Sequence, residues 1–214
     1  MEHGTISGPS QVPGINCRTC ILVYYHIVFF SYFCSMDRLI TINSSEDILP
    51  QYRDTPIGLL LEYHNELRPL DQYKNAKLLI GMCMDNRKHL HIPDNFAFII
   101  RSGGANLRYS EFKVSYAIAI GHLQHIALIG HNNCGMVNLQ DRKDLFIKGL
   151  VDMAGWDAGR AEAQFMRFEP MYEIHNEIDF ILSEVVRLRK EYPKIQVAPM
   201  LYLVEDNKIY LIRE

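Results

Sequence analysis

Two short stretches hold side chains whose types and spacing could do chemistry. In GMCMDNRKHL, Gly81 to Leu90, a thiol, a carboxylate and a guanidinium alternate as Cys83, Asp85 and Arg87. Further along, HNNCG supplies His131 and Cys134, separated by two residues. Soft thiolates with an imidazole suit zinc in a tetrahedral site. The set offers three ligands, where a structural zinc site is normally closed by four and a catalytic one keeps a position for water or substrate. The count favours catalysis. A lone cysteine at a strand end is commonly a small buried hydrophobe, and H-x-x-C recurs by chance, so neither stretch persuades alone. Their joint placement, with Asp85 and Arg87 beside the first thiol, carries the inference.

The elements around these residues explain how they could meet. KLLIGMCMD, NFAFIIRSGGAN and HIALIGHNNCG are short apolar runs that each end in a polar loop. Ahead of them TPIGLLLEYHNEL has apolar residues at helical spacing, and between the second and third SEFKVSYAIAIGHL opens on Ser110 as cap, with Phe112, Tyr116, Ala119 and Ile120 on one side. Helices are expected at about 141–154, 157–168 and 170–191, the last stopped by Pro193. IQVAPMLYLVEDNKIYLIRE closes the chain as two strands about an Asp206-Asn207 turn. Apolar strands alternating with helices predict an α/β fold: a mostly parallel central sheet with helices on both faces and a C-terminal edge hairpin. Ligands of such sheets gather beyond the carboxyl ends of the strands. Cys83, Asp85, Arg87, Arg101, Ser102, His131 and Cys134 all fall there.

Composition narrows the classes. The chain has 214 residues, 48% hydrophobic and 22% charged. That is the profile of one globular domain. A net charge of -3 gives no basic stripe for nucleic acid or anionic lipid, so a small-molecule partner is expected and neither of those. Five cysteines, at 17, 20, 34, 83 and 134, lack the even, dense spacing of a disulfide scaffold and point to reduced thiols and a cytoplasmic setting.

Residues 1–35 differ from the rest. A stretch rich in Gly, Pro and Ser leads into the apolar run 21–34. That run is too short for a membrane span, which needs roughly 20 residues. Arg18 is the only basic residue ahead of it and no small-x-small cleavage site follows it, so neither a signal peptide nor an anchor is expected. The segment is read as an extension outside the fold, Met36 as the start of a domain spanning 36–214, and Cys17-x-x-Cys20 as carrying no metal or redox role.

The paired motifs, C-x-D-x-R as CMDNR at 83–87 and H-x-x-C-G as HNNCG at 131–135, resemble those of the β-class carbonic anhydrases. FIIRSGGAN is similar to that family's strand ending in R-N-A-G, and IQVAPMLYLVEDNKIYLI to its closing strand pair, so the likeness covers roughly residues 50–214. The resemblance implies that Cys83, His131 and Cys134 bind Zn(2+), that Asp85 and Arg87 form a dyad gating the metal, and that zinc-bound hydroxide hydrates carbon dioxide reversibly to bicarbonate. It also implies a homodimer or higher homo-oligomer. A bidentate Arg87 would hold Asp85 off the zinc, so the dyad works as a latch.

Departures from the family pattern bear on access to the site. Ser102 stands where asparagine is usual, Met136 replaces a small residue after Cys134, and the helical region 146–170 is longer. Gly103 and Gly104 are read as a tight turn, and His89 and His91 as exposed loop residues. Two rival readings stay open: a carbonyl sulfide or carbon disulfide hydrolase on the same scaffold, and a zinc-binding domain without turnover in which Asp85 permanently ligates the metal.

Overall fold

The computed structural model describes residues 37–214. The expectations for Cys17, Cys20 and Cys34, for the apolar run 21–34 and for a domain start at Met36 lie outside the described residues.

A six-stranded sheet organises the chain: β1 (Leu39–Ile40), β2 (Leu78–Met82), β3 (Ala97–Arg101), β4 (His125–His131), β5 (Gln196–Leu203) and β6 (Lys208–Ile212), in the order β1-β6-β5-β4-β2-β3. The four strands β5, β4, β2 and β3 run parallel, while β6 and β1 add antiparallel pairs. The α/β architecture with a mostly parallel sheet is as the sequence predicts. One detail differs. The closing hairpin is not the sheet edge, because β1 pairs outside β6 through Leu39 with Ile212 and Ile40 with Leu211.

Strand β2, LLIGM, is buried at every residue because helices cover both faces. Leu78, Ile80 and Met82 pack with Tyr52 of α1 (Pro50–Arg53) and with Ile57, Leu60 and Leu61 of α2 (Pro56–Asn65). Leu79 points the other way, into a cluster with Val114 and Ala117 of α3 (Glu111–Ala119) and with Ile181, Val185 and Leu188 of α6 (Glu177–Glu191). Each such side chain contributes roughly 1.5–3 kcal/mol by leaving water. The alternation between faces also fixes the register, since a one-residue slip would turn every core side chain to the wrong side.

Helix starts follow local chemistry. Thr55 accepts a hydrogen bond from the Ile57 N–H at 3.2 Å, ahead of Pro56. The fixed φ of proline suits the first helical position. Asn176 caps α6 by accepting from the Asp179 N–H at 3.0 Å. Between them lie α4 (Lys143–Ala154) and α5 (Ala158–Tyr172). The expected division at 168–170 is corrected: α5 runs through Pro170 to Tyr172, and the helix expected from 170 starts only at Glu177. Residues 173–176 leave the helical path, and Ile174 bridges to Val137. The stripe of Phe112 and Tyr116 on α3, continued by Ile120 just past its end, faces outward, with Phe112 82% exposed, while Val114 and Ala117 take the inner face.

Two glycines let the strands that end at the motifs come close to their neighbours. A Cβ on Gly81 would stand 2.8 Å from a Leu107 methyl, and one on Gly130 would stand 2.8 Å from Ile181. Gly81 lies just upstream of Cys83, and Gly130 directly precedes His131.

Candidate metal centre

Because β2 and β4 pair in parallel, with Met82 opposite Ile129, the loops leaving them emerge at the same end of the sheet. Cys83 follows β2 directly, and His131 is the last residue of β4. Beyond His131 the chain turns through Asn133, whose φ is 52°. Asparagine tolerates this left-handed conformation. That turn brings Cys134 back toward Cys83. The two Sγ atoms lie 3.9 Å apart, and the ligand atoms of Cys83, His131 and Cys134 all fall within 4.8 Å of one another. All three residues are buried. Ile174, Met136, Val137 and Phe180 pack around the two thiols.

The residues present fit a zinc ion. His131 Nδ1 is engaged by the Asn132 carbonyl at 2.8 Å. That contact puts the proton on Nδ1 and leaves the Nε2 lone pair unprotonated. Among the described residues the buried Nε2 has no hydrogen-bond partner, which costs free energy that a cation taking the lone pair would recover. The thiols make the same demand. The hydrogen bond from Cys134 pushes the Cys83 thiol down, while the bond to Cys83 and burial push Cys134 up. Left to themselves the two buried sulfurs share a proton, so only one ionises; a positive ion between them lets both become thiolates.

Asp85 and Arg87 stand at the rim. Arg87 Nε donates to Asp85 Oδ1 at 3.0 Å and Oδ2 at 3.2 Å, and Nη2 donates to Oδ2 at 2.7 Å. The Arg87 backbone N–H adds a bond to Oδ1 at 2.9 Å. The guanidinium therefore holds the Asp85 carboxyl well below the usual carboxylate range. Asp85 Oδ2 lies 3.9 Å from His131 Nε2, and Arg87 Nη2 also reaches the Asn133 carbonyl at 3.0 Å. The dyad thus bridges the two motifs.

Several contacts had no signal in the local sequence. Lys88, only 1% exposed, donates from Nζ to the Asp85 carbonyl at 3.2 Å, and burial pushes its ammonium down. Arg101, the last residue of β3, donates to the carbonyls of Cys83, Asp85 and Lys88 at 3.3–3.4 Å and so ties down the whole 83–88 loop. Glu177 accepts from the Cys134 N–H at 3.2 Å. Gly104, with φ 63°, makes the expected tight turn, and Met136 lies so close that a Cβ on Gly103 would meet its sulfur at 2.9 Å. Ser102 continues the sheet through its N–H to the Met82 carbonyl. His89 and His91 are exposed, and the His91 backbone N–H donates to His64 Nδ1 at 3.1 Å. A cleft of about 670 Å³ opens beside the motif loops, lined by Met84, Arg101, Ser102 and Met136 and walled by Phe165 and Phe168 of α5.

Among solved structures the chain is similar to β-carbonic anhydrase isoform I from the protozoan Trichomonas vaginalis, with a TM-score of 0.52, 21% identity, and coverage of 69% of this chain and 90% of that one. The chain has the β-carbonic anhydrase fold. A carbonic anhydrase from Glaciozyma antarctica gives a TM-score of 0.50 at 16% identity, covering 77% of this chain and 96% of that one. No protein-family model and no curated protein sequence matches the chain. In this β-carbonic anhydrase fold the Cys-His-Cys cluster sits where the carboxyl ends of β2 and β4 meet. No helix among the described residues is long and apolar enough to cross a membrane.

Proposed function

We propose that the domain from residue 36 is a zinc enzyme that hydrates carbon dioxide reversibly to bicarbonate. One observation carries the reading: on a β-carbonic anhydrase fold, three buried soft and imidazole ligand atoms cluster within 4.8 Å, with a latched carboxylate 3.9 Å from the histidine. Cys83, His131 and Cys134 would hold the zinc. Bound there, zinc supplies a Lewis acid that makes water nucleophilic near neutral pH.

The remaining roles belong to the chain. Asp85, ionised throughout the physiological range, accepts a hydrogen bond from the attacking water and aims its lone pair at the substrate carbon. Arg87 holds Asp85 in that orientation and away from the metal. The apolar wall of Met136, Val137 and Ile174 suits a small neutral substrate and disfavours the charged product, which helps bicarbonate leave. Two thiolates cancel the charge of the dication and acidify water less than neutral imidazoles would, so activity rises toward alkaline pH.

The assembly is read as a homodimer or larger. Support comes from β3, an edge strand in which Phe98 and Ile99 are exposed beside the outward stripe of Phe112 and Tyr116.

Stopped-flow carbon dioxide hydration by zinc-loaded protein, with Cys83→Ser and Asp85→Ala alongside, tests the reading. Hydration that rises with pH, is lost in Cys83→Ser and falls in Asp85→Ala supports it. No hydration with zinc bound sinks it and moves the assay to carbonyl sulfide and carbon disulfide. Failure there leaves the zinc domain without turnover.

A further inference from the structure

One carboxylate from the far end of the sequence touches both residues that separate His131 from Cys134. Glu205 Oε2 accepts from Asn132 Nδ2 at 2.6 Å, and Oε1 accepts from Asn133 Nδ2 at 3.2 Å. Glu205 lies in the turn between β5 and β6. The same turn reaches back, with the Val204 N–H donating to Asn132 Oδ1 at 2.9 Å. Asn132 is buried, so both ends of its amide depend on residues 204 and 205 for partners.

These two asparagines are the joints of the metal loop. The Asn132 carbonyl receives His131 Nδ1 and so fixes the plane of the imidazole and the direction of Nε2. The Asn133 carbonyl receives Arg87 Nη2, and Arg87 in turn holds Asp85. Asn133 also sits at the left-handed turn that presents Cys134. An acceptor that grips both amides therefore sets the ligand His131 and the dyad together.

We propose that Glu205 is a positioning residue for the metal centre, clamping Asn132 and Asn133 so that His131 Nε2 faces the thiol pair and Arg87 keeps its grip on Asp85. The inference rests on the zinc reading above. Glu205 touches neither metal nor substrate; it acts through the two asparagines. Glu205→Ala leaves the buried Asn132 side-chain amide without the acceptor of its Nδ2–H and frees the loop to rotate. Glu205→Gln preserves size and one acceptor oxygen but turns an NH₂ toward one of the asparagine amides, so its effect is intermediate.

The test measures zinc affinity by competition with a chromophoric chelator, and the d–d absorption of the cobalt(II)-substituted protein, for wild type and both variants. The expected result is zinc binding weakened on the order of 10–100-fold in Glu205→Ala, less in Glu205→Gln, with a cobalt spectrum that stays altered when the site is saturated with metal. Zinc affinity and cobalt spectrum equal to wild type in the variants overturn the clamp and leave the zinc reading standing. A wild type that binds neither metal overturns both. If Glu205→Ala does not fold, Glu205→Gln is judged by the same two readouts.

Discussion

Asp85 Oδ2 stands 3.9 Å from His131 Nε2 and is held there by the two-pronged grip of Arg87. In the zinc site proposed above, the carboxylate would be close enough to reach the metal, and the guanidinium would compete for it. Arg87→Ala is expected to let Asp85 swing onto zinc as a fourth ligand. Turnover should fall about 10–100-fold with zinc retained, and X-ray absorption at the zinc edge should gain an oxygen ligand from the protein. An unchanged metal environment in this variant would remove the latch.

Glu184 is fully buried and accepts from Arg108 Nε at 3.1 Å and from Arg187 Nε and Nη2 at 3.0 and 2.7 Å, which joins α6 to the segment before α3. Glu184→Ala leaves these donors without their acceptor. The Arg108 side chain is 46% exposed and can rehydrate. The expected cost is therefore about 1–3 kcal/mol, below the roughly 3–5 kcal/mol of breaking a wholly buried pair. Urea denaturation measures it, and a loss near zero would mean the pair is dispensable.

His64 is buried against Tyr202, and its Nδ1 already accepts the His91 N–H. Burial pushes its folded pKa below the ordinary 6.5. The unfolded chain therefore binds a proton first as pH falls. Its contribution to stability is intact above the unfolded value and is lost as pH drops from about 6.5 toward the folded value. His64→Asn, whose Oδ1 can replace the acceptor, should flatten that part of the stability curve. Melting temperatures of both proteins from pH 7.5 to 5 make the comparison, and parallel curves would refute the assignment.

Ile99 lies exposed on the open edge strand β3. If a second copy pairs there, Ile99→Arg should place a desolvated charge in the contact and shift the sedimenting species to the mass of a single chain. An assembly that survives the substitution must use another face.

The strands were legible because burial on both faces demands continuous apolar runs, as in LLIGM. The five motif residues were legible because thiols, imidazole, carboxylate and guanidinium are informative types at short spacing. Where α5 ends was not, because Pro170 reads locally as a breaker while the helix tolerates it and stops at Tyr172. Nor does periodicity say which face of α3 is inward, since Phe112 and Tyr116 are as apolar as Val114 and Ala117. Lys88, Glu177 and Glu205 were invisible for a different reason. Charged residues in polar stretches look like solvated surface, and only the fold brings Glu177 and Glu205 to a loop some forty to seventy positions earlier.

The pairing of Met82 with Ile129 has a consequence for which changes of length the chain can absorb. One residue inserted between β2 and Cys83 would advance the thiol by about 3.3 Å and turn it to the opposite face, a displacement no rotamer recovers. The same insertion at residues 155–157, between two helices that supply no ligand, moves none of Cys83, His131 or Cys134. The chain can therefore grow or shrink at the α4–α5 connection, while at the ends of β2 and β4 its length is fixed to the residue.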